Sequence, residues 1–594
     1  MSENVSLTAL TSIQNDTTAV TKINSNNATI TTAFSDVLSR SGVQPNSMNS
    51  ALDMNSNRII NLPTAISVTE PVTLAQVNSA LAANGNIATG TTSVPVSAAM
   101  QPVVAATSTS SALTLLGAPN PTATSSITWS GDQYFKTGRP WADVRAWGAK
   151  GDAVTNDSTA FQNAINSMST NYGGGTVYVP PGTYVISSGI TIPNSIRLVG
   201  AGKNVSILSA GGVDVANMIQ IGTSAVQPNT GAFSSLEQLT IFGCGWNATD
   251  PIPTGNTVKV AAETQDGVRI LECFVSYGYY TLNINAQDTV VDNCQISSSY
   301  GPAIVYLGSG GQIWSKRTSY DKGWPVSVYT GAAAIPWTAN TGYSPGAVVT
   351  ANNYWLQCKT GGTSSNGAAP TPKPYGANIT DGSVVWLLVG LIGDAAIQID
   401  TGTNECAFTM CDITGCYDTG IFLSNSQAGT GPGYVTVNQS IISQTRSIAI
   451  NAQYGKSLIV SNSSIVNGGA NGSNTFGVLI AGTFTGQVII NGNVLTGAGN
   501  NATGGNCVTI NLVGNGYNIV NGNTITGANN GVSVIAGAKN FLISSNIIYS
   551  CQTPVIVATG TSDNYNIIYN LTKGCANAVN DGGSGANKSV TGNN

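Results

Sequence analysis

The sequence contains no histidine and few charged residues. Lysine, arginine, aspartate and glutamate make up 8% of the 594 residues, against about 25% in an average domain. The side chain that most often acts as a general base or a metal ligand is therefore missing. Any chemistry must use Asp, Glu, Lys, Arg, Tyr or Cys, and we expect neither a metal site nor a cofactor.

The sequence also lacks a basic surplus and any long apolar run. A net charge of −5 and a pI near 4.8 offer no electrostatic footprint for nucleic acid. No stretch approaches the roughly 18 apolar residues that a spanning helix needs. The opening residues MSENVSLTAL lack the basic and apolar regions of a classical export signal. We expect no nucleic-acid partner, no membrane insertion and no export by a classical signal.

Glycine and small polar residues are abundant instead, beside enough apolar residues to fold. The chain has 69 glycines and is 41% hydrophobic, which is not the composition of a disordered chain. Its 594 residues exceed the roughly 250–300 at which one hydrophobic core stops growing. The composition favours one long repetitive domain over several compact ones.

Residues 1–40 place apolar side chains close to heptad spacing, with one slip of three residues after Val20. This pattern predicts a short helical oligomerisation stalk. A loosely ordered tail rich in Thr and Asn is the alternative. The apolar positions are Leu10, Ile13, Val20, Ile23, Ile30, Phe34 and Val37.

Residues 41–81 contain the stretch LDMNSNRIINLP, followed by a Glu-Pro-Val step and a helical pattern. This segment resembles one found near the N-termini of bacteriophage tail fibres and tailspikes, where it would anchor the protein to the virion. Residues 82–138 are rich in Ala, Thr, Ser, Gly and Pro, which predicts a linker.

From residue 139 an amphipathic helical pattern runs directly into short alternating strands. Asp157 or Ser158 is expected to cap the helix, and Asp152 to lie in a glycine turn. The apolar face of the helix comprises Ala160, Phe161, Ala164, Ile165 and Met168. Such a helix would cover the open first coil of a stacked-strand fold.

The motifs WGAKGD, NDSTAFQNAI, GGGTVYV and PPGTY, all within residues 147–184, carry a further resemblance. They are similar to the opening of the pectate-lyase-like family, which includes viral tailspikes. The resemblance implies an all-β fold, a right-handed single-stranded parallel β-helix, with the N-terminal helical stalk ahead of it. It makes residues 139–334 the cap and first coils, and 391–594 the continuation and C-terminus.

Internal repeats agree with stacked coils. VIINGNVL, NIVNGNTI and FLISSNII share one template, with Asn493, Asn523 and Asn546 in its turn position. The same template upstream predicts that position for Cys244, Cys273, Cys294, Cys411, Ser440 and Ser463, and Asn570 is expected to close the series. Buried free thiols are the preferred interpretation of these cysteines. Disulfides between stacked coils remain open, since the coil spacing of about 4.8 Å is within bridging range.

Residues 335–390 interrupt the repeat and differ in composition. They resemble the small β modules, loosely similar to chitin-binding modules, of many phage tail proteins. Aromatic rings cover the apolar faces of sugars, so the resemblance implies carbohydrate binding; the alternative is that several of these rings form the module's core. The predicted glycan-binding residues are Trp337, Tyr343, Tyr354, Trp355 and Trp386, with Tyr277, Tyr279 and Trp324 in the coils.

Acidic residues supply the candidates for catalysis, since glycoside hydrolysis needs two carboxyl groups at a defined separation. The densest group is Glu263, Asp266 and Glu272, with Asp292 and Asp321 one or two coils further on. Surface solubility is the alternative role for each. A polysaccharide lyase is disfavoured, because the coils show no dense acidic triplet for a cation.

Two functions therefore remain open for the sequence. The first is a virion spike or fibre that contacts the host surface and binds bacterial polysaccharide. The second is an endoglycosidase-type depolymerase of capsule or O-antigen, so that enzymatic activity stays undecided. The resemblance further implies a homotrimer, made in the host cytoplasm and attached through its N-terminus to phage tail, baseplate or neck proteins.

Overall fold

The computed structural model describes residues 17–35, parts of 63–79 and most of 141–594. Within this last span the gaps are 223–231, 246–251, 262–266, 287, 298, 307–311, 322–334, 375, 393–394, 401–404, 417, 425–430, 446, 467–475, 482, 498–505 and 511–516. The chain forms two compact units, residues 1–127 and 128–594. Among the described residues no helix is long and apolar enough to cross a membrane.

Among the described residues of the N-terminal unit is the α-helix Thr17–Ser35, which lies within the predicted stalk. It includes four of the predicted apolar positions, Val20, Ile23, Ile30 and Phe34; Leu10, Ile13 and Val37 lie outside the described residues. Eleven of its 19 residues are Thr, Ser or Asn, which are weak helix formers. A helix with so many weak helix formers depends on packing rather than on propensity.

The second unit is a parallel β-helix, which confirms the predicted fold. Three long parallel sheets of 15, 14 and 13 strands run along it, and each coil contributes one strand to each sheet in turn. Sheet 1 comprises Trp141–Asp143, Gly175–Val179, Ile196–Gly200, Ser235–Glu237, Arg269–Leu271, Thr289–Asp292, Gln312–Lys316, Glu405–Thr409, Tyr434–Asn438, Ser457–Ser461, Gln487–Asn491, Asn518–Asn521, Lys539–Ser544, Asp563–Ile568 and Lys588–Thr591.

Sheet 2 follows sheet 1 within each coil and has the shortest strands. It comprises Asp152–Asn156, Gly182–Val185, Ser206–Ser209, Thr240–Phe242, Phe274–Ser276, Gln295–Ser297, Ser319–Asp321, Asp412–Thr414, Ile441–Ser443, Ser464–Val466, Val494–Thr496, Thr524–Thr526, Ile547–Tyr549 and Leu571–Lys573. In most of these strands the central residue is buried and its neighbours face outward.

Sheet 3 completes each coil. It comprises Ile190–Ile192, Asn217–Ile221, Asn256–Val260, Leu282–Ile284, Ile304–Tyr306, Ala395–Ile399, Thr419–Leu423, Ile448–Ala452, Phe476–Ile480, Asn506–Ile510, Asn530–Val534, Thr553–Gly560 and Asn580–Gly583. The inward Val, Ile and Leu side chains of the three sheets form one continuous core.

The α-helix Ser158–Tyr172 covers the first coil, as predicted, after a short 3₁₀ helix, Val144–Trp147. All five residues of the predicted apolar face are buried, and Phe161 contacts Tyr184 edge to face at 5.3 Å between ring centroids. The helix ends at Gly173, which has φ 70°, a left-handed conformation that favours glycine.

The capping prediction is wrong in one detail. Asp157 stands at the N-cap position but makes no side-chain bond to the helix. Its carboxylate accepts the backbone N–H groups of Lys150 at 2.7 Å and Gly151 at 3.1 Å, while Asn156 Oδ1 accepts from Ser158 N at 3.1 Å. Asp157 therefore ties the glycine turn to the helix start.

Asp152 has a similar structural role. Its carboxylate accepts from the backbone N–H groups of Thr155 at 2.7 Å and Val154 at 3.0 Å. These bonds lower the pKa of Asp152 to about 2. The carboxylates of Asp152 and Asp157 therefore both hold the local backbone in place by accepting its N–H groups.

The turn between sheets 1 and 2 carries a buried column of hydrogen-bonded side chains. Asn493, Asn523, Asn546 and Asn570 are each at most 1% exposed. Each backbone N–H donates to the Oδ1 of the asparagine one coil further on, at 2.9 to 3.1 Å. The residue before each column member adopts a left-handed conformation, as in Gly522 with φ 64°. The turn thus repeats with one fixed geometry.

Three details of the predicted column need correction. Asn593, not Asn570, is its last member, since it accepts from Asn570. Thr318 belongs to it, accepting from Cys294 N at 3.4 Å; the template missed it because Ser315 stands where an apolar residue was required. Cys244 does not belong, since it follows a strand of sheet 2 and its thiol bonds to the carbonyl of Val215 at 3.2 Å.

The cysteines whose side chains the structure describes are free thiols. Cys273 and Cys294 are neighbours in the column, with the backbone N–H of Cys273 donating to the Cys294 sulfur at 3.4 Å. Burial raises the pKa of Cys406 and Cys411. The cysteines of the column therefore act as small buried side chains, in agreement with the preferred prediction.

A separate and mostly antiparallel β module lies between the sheet 2 strand Ser319–Asp321 and the sheet 3 strand Ala395–Ile399 of one coil. Its five-stranded sheet comprises Ile335–Pro336, Val348–Ala351, Tyr354–Thr360, Ile379–Asp381 and Val384–Leu391, and a two-stranded ribbon pairs Gly342–Tyr343 with Gly362–Thr363. Tyr300 and Tyr279 of the coils pack against the module's core, so the module rests on the turn after sheet 2.

Candidate functional site

The outer face of sheet 2 beside the inserted module carries a group of polar side chains, which we call the polar patch. Its members are Ser319, Asp321, Asp412, Thr414 and Ser443. The in-register pairs Ser319 with Asp412 and Asp321 with Thr414 place them in two outward columns, and the Ser443 hydroxyl donates to Thr414 Oγ1 at 3.1 Å. The patch thus combines three hydroxyls with two carboxyls in adjacent coils.

Asp321 and Asp412 influence each other. Partial withdrawal from water and the negative charge of Asp321 raise the pKa of Asp412. Two neighbouring carboxyls, one with a raised pKa, are the electrostatic arrangement that acid and base catalysis requires. The polar patch is therefore the candidate site with the clearest chemistry.

The sequence analysis predicted Asp321 but did not select Asp412 as a site residue. The two aspartates are 91 positions apart, because the module lies between them in the chain. They become neighbours only when the coil closes around the insertion. The sequence offers one signal for this pairing. If residues 335–390 are treated as an insertion into a single coil, Asp321 and Asp412 fall on adjacent coils.

The other predicted acids are not in the polar patch. Glu272 and Asp292 lie at the corner between sheets 1 and 2, where Glu272 accepts from Gln238 Nε2 at 3.1 Å. Asp292 forms a bidentate pair with Arg317, with Nε to Oδ1 at 3.0 Å and Nη2 to Oδ2 at 2.7 Å. Glu263 and Asp266 lie outside the described residues. The expected cluster of Glu263, Asp266 and Glu272 therefore stays a prediction.

The engaged acids fit structural roles better than catalytic ones. A second ion pair, Arg197 with Glu237, joins adjacent coils of sheet 1 in the same way. Within the described part of the chain, acidic and cysteine side chains form no group of three that could hold a metal ion.

Two of the predicted sugar-stacking aromatics are core residues, which corrects the prediction for them. Trp386 is fully buried, and Tyr343 contacts it edge to face at 4.9 Å between ring centroids. A buried ring offers no face to a ligand. For this pair the alternative prediction, that the aromatic rings form the module's core, is the correct one.

One buried carboxylate organises that core. Asp381 Oδ2 accepts from the indole N–H of Trp337 at 2.7 Å and of Trp386 at 3.0 Å, and Oδ1 accepts from Ser365 N at 2.9 Å. Although burial by itself raises the pKa of Asp381, hydrogen bonds from Ser365, Trp386 and Trp337 outweigh it and lower the pKa. Trp337 is therefore fixed in orientation.

The remaining predicted aromatics that the structure describes are partly exposed. Trp337, Tyr354 and Trp355 of the module are half-buried. Tyr277 and Tyr279 are half-buried on the coils, where Tyr277 contacts Phe242 and Tyr279 contacts Tyr280. Trp324 lies outside the described residues. The half-buried rings retain some surface that a ligand could contact.

Comparison with known proteins agrees with this architecture. Residues 141–265 match the family model described as rhamnogalacturonase A/epimerase, pectate lyase-like. The preneck appendage protein of Bacillus phage PZA is 46% identical over 65 residues, which are 11% of this chain and 7% of that protein. Mannuronan C5-epimerase AlgE1 of Azotobacter vinelandii is 33% identical over 108 residues, 17% of this chain and 8% of that protein. The matches thus span less than a tenth of these relatives.

A solved structure shares the fold over a longer span. The pre-mature bacteriophage phi29 gene product 12 superposes with a TM-score of 0.51 at 17% identity, over 76% of this chain and 55% of that one. With the pectate-lyase-like match and the phage appendage relative, this likeness agrees with the predicted β-helix fold and with the predicted resemblance to phage spike proteins. The second unit of the chain is thus a parallel β-helix that is similar to the pectate-lyase-like family and to phage appendage proteins.

Proposed function

We propose that this virion spike contacts the host surface and binds bacterial polysaccharide at the polar patch. The observation that carries the proposal is the patch itself, an outward group of hydroxyls and carboxyls on a chain with few charges. Hydroxyl and carboxylate oxygens accept hydrogen bonds from sugar hydroxyls, and the protein hydroxyls can donate in return. A neutral, hydroxyl-rich polymer is the ligand that this surface suits.

The adjoining module supports the same proposal. Asp321 ends the strand that precedes the insertion, and Trp337 and Trp355 are half-buried on the module. Half-exposed aromatic rings provide the apolar contact that sugar faces require. Because the module follows directly after the strand of Asp321, we expect a long glycan bound at the polar patch to reach these rings.

The proposal extends to assembly. The spike acts as a homotrimer and is attached by its N-terminal region to tail, baseplate or neck proteins of the virion, after synthesis in the host cytoplasm. The helix Thr17–Ser35, with its apolar positions and weak propensity, supports association through that region.

Binding is tested by filling the polar patch. We expect Thr414→Trp to weaken binding of host capsule or O-chain polysaccharide at least ten-fold, because the indole would cover the two aspartates. Biolayer interferometry with immobilised polysaccharide measures this. Ala407→Trp is the matched control, since Ala407 lies in the same coil on sheet 1. Equal binding by both variants, or no binding by the wild type, would contradict the proposal.

An endoglycosidase is the second candidate, favoured by the raised pKa of Asp412 beside Asp321. In that case protonated Asp412 would donate to the leaving oxygen, and Asp321 would act as the base or nucleophile. Loss of a general acid typically costs about 10²–10⁴-fold in rate.

A reducing-end assay decides between adhesin and enzyme. For the enzyme we expect new reducing ends from the wild type, at least a hundred-fold fewer from Asp412→Asn, and an unchanged rate from Glu405→Gln, an exposed acid of the same coil. Polysaccharide that is bound but never shortened by the wild type would leave the adhesin as the function.

A further inference from the structure

The outer face of sheet 2 changes character after the polar patch. Four large apolar side chains are exposed there, Ile441 by 49%, Val494 by 45%, Ile547 by 46% and Leu571 by 53%. We call these four residues the apolar stripe. An apolar row of this length on the outside of a β-helix contributes nothing to the core of its own chain.

Strand register aligns the stripe in a single column. Ile441 pairs with Ser464, Ser464 with Val494, Val494 with Thr524, and Thr524 with Ile547. Leu571 follows Ile547 directly. Since neighbouring strands lie about 4.8 Å apart, the column runs roughly 24 Å along the helix with small hydroxyl side chains between the apolar ones.

The surroundings of the stripe carry almost no charge. The outward side chains of these six strands are the column itself and a second column of Ser443, Val466, Thr496, Thr526, Tyr549 and Lys573. Lys573, at the last coil, is the one charged residue among the twelve. The chain thus presents a long, nearly uncharged face.

We propose that the apolar stripe is an interface between copies of this chain. In a trimer, residues close to the three-fold axis meet their own copies from the other chains. Like charges would repel there, so a nearly uncharged face suits that position. A second parallel β-helix also has the same rise per coil, which lets side chains of two copies interleave along the whole column. The inference deepens the proposed homotrimer by naming its surface, and it does not depend on glycan binding.

Photo-crosslinking of the full chain tests the interface directly. Benzoylphenylalanine is introduced at position 494, and separately at position 487 as the matched control. Gln487 is exposed in the same coil but on sheet 1. We expect irradiation of purified protein to give covalent species of two or three chains from position 494 and none from position 487. This readout is independent of the N-terminal helix, which could hold copies together by itself.

Three results would overturn the inference. They are crosslinking from position 487 but not 494, no crosslinking from either position, and a crosslink from 494 to residues 1–140 of the same chain, identified by peptide mass spectrometry. A polysaccharide-binding defect would leave the crosslinks unaffected, so failure of the glycan proposal and failure of this one are distinguishable.

Discussion

Replacement of Asn523 by alanine is expected to lower the free energy of unfolding of the β-helix by about 3–5 kcal/mol. Its Oδ1 accepts from the backbone N–H and Nδ2 of Asn493, and its Nδ2 donates to the Ile490 carbonyl and to Asn546 Oδ1. All four bonds are buried. The truncation removes them and leaves partners in adjacent coils unsatisfied, which is more costly than losing exposed bonds.

The matched control is Asn521→Ala, two residues earlier in the same coil. Asn521 is only half-buried and accepts one bond, from Ser544 Oγ at 3.3 Å. We expect a change of under about 1 kcal/mol for it. Equilibrium denaturation measures the difference, and if unfolding is irreversible the unfolding rate serves instead. Equal losses for the two variants would show that the asparagine column does not stabilise the fold.

The second large effect concerns the inserted module. Asp381→Ala should destabilise the module by about 3 kcal/mol or more, because it leaves the indole N–H groups of Trp337 and Trp386 and the Ser365 N–H without their acceptor. We expect faster amide hydrogen exchange throughout residues 335–391, while the coils beyond stay protected. Local exchange is the suitable measurement because the module and the coils need not unfold together.

Asn378→Ala provides the control for this experiment. Asn378 lies in the same module, and its Oδ1 accepts from Lys359 Nζ at 2.9 Å in an exposed bond. Its loss should leave exchange nearly unchanged. The lowered pKa of Asp381 adds a pH test: the stabilisation is present above the ordinary carboxyl pKa near 3.8 and should be lost as the pH falls through the lower folded value. Protection of the module that is unchanged in Asp381→Ala would refute the role of this carboxylate.

Repetition made the fold predictable from sequence. The template with Asn493, Asn523 and Asn546 located most of the turns, since most coils place a small residue at the same buried corner. It failed at Leu239, which holds the corner position before Cys273, and at Thr318, where side-chain chemistry departs from the pattern. The capping helix was predictable because its apolar face has the period of a helix that covers a core.

The candidate site was predictable only in part. Both Asp321 and Asp412 could be recognised as acids of the coil region, but their pairing could not be predicted, because it depends on the register of strands on either side of the insertion. Glu272 and Asp292 looked equally suitable in sequence. The structure assigns them to the corner between sheets, where Gln238 and Arg317 engage them.

The sequence by itself determined the stacked-coil architecture, since periodic apolar residues and recurring turn residues permit few other ways to bury the chain. It also determined a surface with little charge. Only the tertiary structure decided which side chains share a face: Asp321 with Asp412, the two tryptophans with Asp381, and the four residues of the apolar stripe. The two aspartates and the stripe residues lie on different coils, and contacts across coils are set by strand register, which local sequence patterns do not encode. In the module, only folding brings Trp337 to Asp381, 44 positions away in the chain.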